Sequence, residues 1–303
     1  MRADVLRIVL YFDVFAWPVR RSEVVRLVAP HDERAVEAVL DALVVEGLLG
    51  SSGAFVFLAG RDAIVADRVA SNARAELLWP DAQRAAAVLA RLPYVRAVLI
   101  TGGLSKNAAG LDPDVDFLLI VATGRVWTTK SALQVVRRVL PPAIRDLCCT
   151  NYLVDEAHLG VDDRTAYTAM ELATAVPMWN GPLCRRLFEE NAWASAYVPG
   201  WSWVEERGAN AQDPRRGRVT SALERVYDVA GDALDERLLG VWDTYWNRKY
   251  AFLDDATRAQ RFKRRRERST NHLEDFQFRV LDAWRERLGR YGLDEPMCAE
   301  RTA

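Results

Sequence analysis

The chain has 303 residues, of which 50% are hydrophobic and 27% charged, with a formal net charge of −1. That length is enough for two or three small domains with their own cores, and the near-neutral balance gives no overall electrostatic case for nucleic acid or an anionic membrane. No apolar run reaches the roughly 18–20 residues that span a bilayer. The first fifteen residues carry Asp4 and Asp13 and no small-residue cleavage site, so they do not read as a signal peptide. Cys148, Cys149, Cys184 and Cys298 form neither a CxxC pair nor a regular framework, which points to reduced thiols in a cytoplasmic protein.

Residues 4–15 read as a helix, with Val5, Ile8, Val9, Phe12 and Phe15 at helical spacing, and Pro18 interrupts it. Ser22 is placed as the N-cap of a helix through Val28. Asp32 is placed as the cap of a third helix over 33–46, with Val36, Val39, Leu40 and Leu43 on one face and Gly47 at its end. Leu48 to Gly50, a Ser51-Ser52-Gly53 turn and the apolar run Ala54 to Leu58 read as a hairpin. Three helices and a hairpin make a winged-helix pattern over residues 1–60. The third helix carries Asp32, Glu33, Glu37, Asp41 and Glu46 against Arg34 alone. A duplex repels such a face, so a structural or partner-binding role is preferred to DNA binding.

An Ala- and Arg-rich helix follows over 61–92, and Pro80 is expected to kink or divide it. Val95 to Ile100 is a buried strand by composition, 101–113 a loop with room for one helical turn, and Val115 to Val121 a second strand. Lys130 to Val139 reads as a helix ended by Pro141-Pro142, and Leu147 to Val154 as a third strand. Beyond about 160 the pattern is all-helical, over 163–176, 181–190, 218–250 and 271–290, with Trp193, Trp201 and Trp203 in an irregular connection. The expected architecture is α+β: a winged helix (1–60), a mixed-sheet core with its leading long helix and flanking helices (61–160), and a helical C-terminal domain (161–303).

The chemistry concentrates in Ile100-Thr101-Gly102-Gly103-Leu104-Ser105-Lys106-Asn107 and Asp112-Pro113-Asp114-Val115-Asp116-Phe117. Residues two apart in a strand face the same side, so Asp114 and Asp116 can converge on one divalent ion. The Gly102-Gly103 turn lets backbone N–H groups approach a triphosphate with no Cβ between, and Lys106 adds positive charge near the phosphates. As alternatives, Asp-x-Asp is common by chance and a Gly-Gly turn can be only a turn. The ordered set of strand, glycine turn, spacer, Asp-x-Asp and apolar strand resembles the nucleotidyltransferase superfamily, whose DNA polymerase beta-like core it would share. Together with Leu10 to Phe15, Pro93 to Arg96, Gly124 to Trp127, Cys149 to Tyr152, Tyr167 to Leu172 and Asn191 to Trp193, it is similar to a bacterial group of such proteins that begin with a winged helix. The resemblance implies a nucleotidyltransferase core with Asp114 and Asp116 as metal ligands and catalytic residues. It also implies Gly102, Gly103, Ser105 and Lys106 at the nucleotide, Mg2+ or Mn2+ as cofactor, and a nucleoside triphosphate as substrate, ATP being the expected one.

Two departures from the superfamily pattern bear on the reaction. The superfamily's Gly-Ser is Gly102-Gly103 here, leaving Ser105 or Thr101 to supply a hydroxyl. The later strand, which carries a third carboxylate in catalytic members, holds Asn151 at its middle, and an amide cannot accept a proton at neutral pH. Three explanations stand: an already anionic acceptor such as a carboxylate, a carboxylate from elsewhere (Glu171 or Asp155), or nucleotide binding without turnover. The expected activity is transfer of a nucleoside monophosphate, AMP from ATP in the expected case, to a small-molecule acceptor. The competing readings are a non-catalytic nucleotide-binding regulator and a toxin-like transferase acting on tRNA or protein. Among other residues, His31 and His158 default to surface positions, and His272 or Asp275 could line an acceptor pocket. The basic run Arg261 to Arg268 is a solvated helix end or a phosphate binder, and Trp127 either packs in the core or stacks on a base.

Overall fold

The computed structural model describes residues 1–111, 114–139, 145, 147–203, 211, 217–255, 257–258, 262–270 and 276–297. The fold is α+β with two sheets.

The N-terminal part consists of α1 (Arg2–Asp13), β1 (Val19–Arg20), α2 (Arg21–Val28), α3 (Glu33–Val45), β2 (Leu49–Ser52) and β3 (Phe55–Leu58). Helix α3 starts where its cap predicts, because the Asp32 carboxylate accepts the Ala35 N–H at 3.2 Å. It ends at Gly47, whose φ of +73° lets the chain turn back. Helix α2 starts one residue before the expected Ser22 cap. Arg20 is held extended by pairing with Phe55, and its N–H is taken by the Glu23 carboxylate at 2.8 Å. That pairing adds a third strand to the expected hairpin, in the order β1-β3-β2.

Helix α4 (Ile64–Leu89) runs unbroken through Pro80, so the expected division does not occur. Its buried alanines, Ala75, Ala82, Ala85 and Ala86, sit against the second sheet with Leu89, and this contact outweighs the single hydrogen bond that proline removes. The second sheet is mixed, in the order β7-β4-β5-β6-β9-β8, with only β5 and β6 parallel. Strands β4 (Val95–Thr101), β5 (Val115–Val121) and β6 (Cys148–Asp155) match the expected strands within a residue or so. A single turn, α5 (Gly102–Ser105), follows β4, and α6 (Val126–Val139) begins four residues before the expected Lys130. Its first turn is stabilised by Asp235, whose carboxylate accepts the Thr128 N–H at 2.7 Å from more than a hundred residues away.

The chain beyond 160 is not all-helical, which corrects that expectation. Among the described residues it contributes α7 (Ala166–Thr174), β7 (Val176–Trp179), α8 (Gly181–Glu190), a 3-10 turn (Ala192–Ala196), α9 (Arg218–Asp228), α10 (Gly231–Lys249), β8 (Arg264–Arg265), β9 (Arg268–Thr270) and α11 (Phe276–Arg290). Strand β7 is the edge next to β4, a place where Pro177 costs no ladder bond on its outer side. Of the basic run, expected as a solvated helix end or a phosphate binder, the described residues 262–268 lie in and beside the β8–β9 hairpin on the other edge. Its cations are paired: Lys263 with Asp163, Arg264 with Asp243, Arg265 and Arg268 with Asp162, and Arg266 with Asp232.

Side-chain alternation splits the sheet between two cores. Val115, Phe117, Leu119 and Val121 face α4, α6 and α10, while Leu118 and Ile120 face α7 and α8. A third core joins α1–α3 to α7 and α11, and its wedge is Ala166, Ala169, Met170 and Ala173 of α7. Asp13 at the end of α1 is 4% exposed and binds Arg61 Nη1 at 2.7 Å and Arg287 Nε at 2.8 Å. Replacing it leaves two guanidinium groups without their acceptor. Asp13→Ala is therefore expected to lower stability by about 3 kcal/mol in urea unfolding, toward the low end for a broken buried pair because both arginines reach water. A loss below about 0.5 kcal/mol would show that these pairs do not tie the termini together.

Candidate functional site

The expected site residues come together at one end of the central strands, on the α7–α8 face of the sheet. Antiparallel pairing of β4 with β5 sets Thr101 opposite Asp116, so the turn that follows β4 begins directly over that carboxylate. Gly102 has φ +66°, and a Cβ there would collide with Asp116 Oδ2. Glycine is required at this position on both counts.

Asp114, exposed just before β5, and half-buried Asp116 share a face, as the period of two predicts. Across the parallel pairing, Asp116 lies opposite Cys149. Between Asp116 and Leu118 the partner strand holds one extra residue, a bulge that turns Asn151 toward the acids. Asn151 Nδ2 donates to Asp116 Oδ1 at 2.9 Å, and its Oδ1 accepts from the Cys149 thiol at 3.2 Å. Asp114, Asp116 and Cys149 offer ligand atoms that all lie within 4.8 Å of one another.

Lys106 is held at the turn, its ammonium 2.9 Å from the Gly102 carbonyl and 2.8 Å from Glu171 Oε1. Glu171 Oε2 accepts the Gly102 N–H at 3.0 Å. The Ser105 hydroxyl donates to the Gly102 carbonyl at 2.8 Å, which commits its proton to backbone, and the Thr101 hydroxyl lies 3.5 Å from the Asp116 carbonyl. Gly103 contributes close approach, since a Cβ would sit 3.2 Å from the Ala108 carbonyl oxygen.

The electrostatics follow from crowding of like charge. Burial, then the charges of Asp114 and Glu171, push the Asp116 carboxyl up to about 6, against the pull of Lys106 and the Asn151 hydrogen bond. Burial, with Asp116 and Asp114 adding to it, pushes the Cys149 thiol up to about 11. The buried phenols of Tyr167 and Tyr11 are also pushed well up, by burial first and then by Glu171. Excess negative charge at an exposed and a half-buried carboxylate two residues apart is the donor chemistry a hard divalent cation relieves. Asp114 and Asp116 could hold such an ion through their oxygens.

Several residues fall elsewhere. Trp127 is fully buried, donates to the Arg265 carbonyl at 2.9 Å and meets Trp246 edge to face, which removes it as a base-stacking surface. Asp155 is buried and carries His158 Nδ1 at 2.7 Å and the Gly124 N–H, away from the pair. His31 is exposed. Asp112, Asp146, Arg261, His272, Asp275 and Cys298 lie outside the described residues, and Cys148, Cys149 and Cys184 are free thiols. A cavity of about 820 Å³ lined by Arg2, Leu6, Leu48 and Tyr291 shares no residue with the cluster.

The sequence reading missed Cys149, which stands two residues before Asn151 on the same strand and donates its thiol to that amide. Glu171 was readable as an oddity, being the lone charge in the helix AYTAMELAT. Among the described residues no helix is long and apolar enough to cross a membrane. Comparison of the chain with protein-family models, with curated proteins and with solved structures found no match.

Proposed function

We propose that the protein is a divalent-metal-dependent nucleotidyltransferase that moves a nucleoside monophosphate, AMP from ATP in the expected case, onto a small anionic acceptor such as a carboxylate. The observation that carries this reading is the juxtaposition of Gly102 with the Asp114/Asp116 pair across the β4–β5 ladder. It places a Cβ-free turn, an ammonium and two carboxylates around one point. Asp114 and Asp116 would hold Mg2+ or Mn2+, which when bound supplies charge neutralisation and a Lewis acid at the reacting phosphate. The Gly102 N–H and Lys106 would hold the β- and γ-phosphates, with Gly103 giving the backbone close approach.

Asn151 stands where the superfamily pattern calls for a third acid and donates to Asp116, so it orients that carboxylate and takes no proton. A carboxylate acceptor is already ionised at pH 7 and needs no base. A hydroxyl acceptor would be slowed roughly a thousandfold for a base worth about 4 kcal/mol. The same observation favours a second reading, a nucleotide-binding regulator without turnover.

The first 60 residues, three helices with a three-stranded sheet, support the winged-helix reading in a structural or partner-binding role. Arg21 is paired with Glu37 and Asp41, and Arg34 is the single basic residue of α3 against Glu33, Glu37 and Asp41. Together with the paired cations of the β8–β9 hairpin, this disfavours nucleic acid as partner or acceptor. The free thiols agree with a reducing, cytoplasmic setting.

The test is incubation with Mg2+, each α-labelled triphosphate and a panel of carboxylic acids, aminoglycosides, total tRNA and protein. Label on an acid with stoichiometric pyrophosphate is the expected result. Label on aminoglycoside, tRNA or protein instead would contradict the acceptor class, and binding with no product would leave the regulator.

A further inference from the structure

Glu171 is the one charged residue of α7, and its carboxylate is spent on the glycine turn. One oxygen takes the Gly102 N–H at 3.0 Å and the other the Lys106 ammonium at 2.8 Å. Lys106 also binds the Gly102 carbonyl at 2.9 Å, and the left-handed conformation of Gly102 sets the direction of its N–H. An acid here stands among acids, since its charge adds to that of Asp114 in holding back ionisation of Asp116. What compensates Glu171 is the same pair of donors that would hold a phosphate: one backbone N–H and one ammonium bridged by two anionic oxygens.

We propose that the Glu171 carboxylate is an internal stand-in for phosphate. It fills an anion subsite made by the Gly102 N–H and Lys106 Nζ, and a polyphosphate, such as the tail of a nucleoside triphosphate, binds by displacing it. The inference rests on the reading that the Gly102 turn receives phosphate. It adds that the ligand-free site is self-blocked and gives the displaced carboxylate a destination. The Tyr11 hydroxyl is buried without a hydrogen-bond partner, and both it and the Tyr167 hydroxyl feel the Glu171 charge. A phenol is a good donor to a carboxylate leaving Lys106.

The probe is inorganic triphosphate, titrated calorimetrically into the full chain with and without Mg2+. Glu171→Gln and Glu171→Ala are expected to bind it at least tenfold more tightly than the unmodified protein, and Lys106→Ala combined with Glu171→Ala is expected to lose that gain. Melting curves for each variant confirm folding, with Glu171→Gln as the near-isosteric form. Binding by both Glu171 variants that is equal to or weaker than the unmodified protein's would overturn the proposal, and would place Glu171 as a metal ligand or proton acceptor instead. Tighter triphosphate binding by the variants, with no nucleotide transferred by the unmodified protein, would uphold the internal stand-in and sink the transferase reading.

Discussion

Asp116→Asn is expected to make the metal-free protein more stable at pH 7.5 while abolishing its metal-dependent chemistry. The folded carboxyl sits at about 6 against an ordinary 3.8, chiefly through burial and then through Asp114 and Glu171. Between those two values the folded state holds a proton that the unfolded state has released. The contribution of this group to stability is therefore fully present below pH 3.8 and is lost as pH rises through about 6. A gap of roughly two pH units corresponds to about 3 kcal/mol, which sets the upper size of the gain from removing the charge. The Asn151 amide can still donate to the new carboxamide oxygen. Urea unfolding in EDTA should show the variant ahead at pH 7.5 by up to about 3 kcal/mol and level with the unmodified protein near pH 4. Loss of one of two metal carboxylates should at the same time lower transfer by roughly a thousandfold or more. A variant less stable at pH 7.5 would mean that Asp116 is a structural acceptor, not a strained functional acid.

The second large effect belongs to Lys130 on α6. Its ammonium donates to Ser269 Oγ at 2.8 Å and faces the rings of Trp246 at 4.5 Å and Trp242 at 5.4 Å. No carboxylate pairs with it among the described residues, and burial pushes it down to about 7 from 10.5. Between pH 7 and 10.5 the unfolded chain carries a proton the folded chain lacks, so stability rises with pH across that window, and the full cost stands below pH 7. About 3.5 units amounts to roughly 5 kcal/mol, of which the tryptophan faces return about 2 kcal/mol. Lys130→Met is expected to gain about 2–4 kcal/mol at pH 6 and nothing above pH 10.5. A difference between variant and unmodified protein that does not change with pH would show that the aromatic cage holds the ammonium charged throughout.

What the sequence made legible was whatever local chemistry fixes. Asp32 and Gly47 bound α3 because a cap and a left-handed turn are decided by neighbouring atoms. Strands β4 and β5 were readable from continuous apolar runs, β6 from the apolar residues on either side of Thr150 and Asn151, and the shared face of Asp114 and Asp116 from the period of a strand. Long-range partners decided the rest. The start of α6 depends on Asp235, β7 depends on pairing with β4, and the β8–β9 hairpin depends on acids at 162, 163, 232 and 243. The bulge that aims Asn151 at Asp116 is a property of strand pairing, so the sequence named the residue without naming its contact. Glu171 was one of two distant acids in view, and only the packing of α7 brought it, and not Asp155, to the Gly102 turn.

The central claim is that Asp114 and Asp116 hold a divalent cation, and titration of Mn2+ followed by electron paramagnetic resonance tests it most directly. The account predicts binding of Mn2+ at a site strengthened by a non-hydrolysable triphosphate and lost in both Asp114→Asn and Asp116→Asn. Undiminished Mn2+ binding in the two variants, or no binding by the unmodified protein even with triphosphate present, would contradict it.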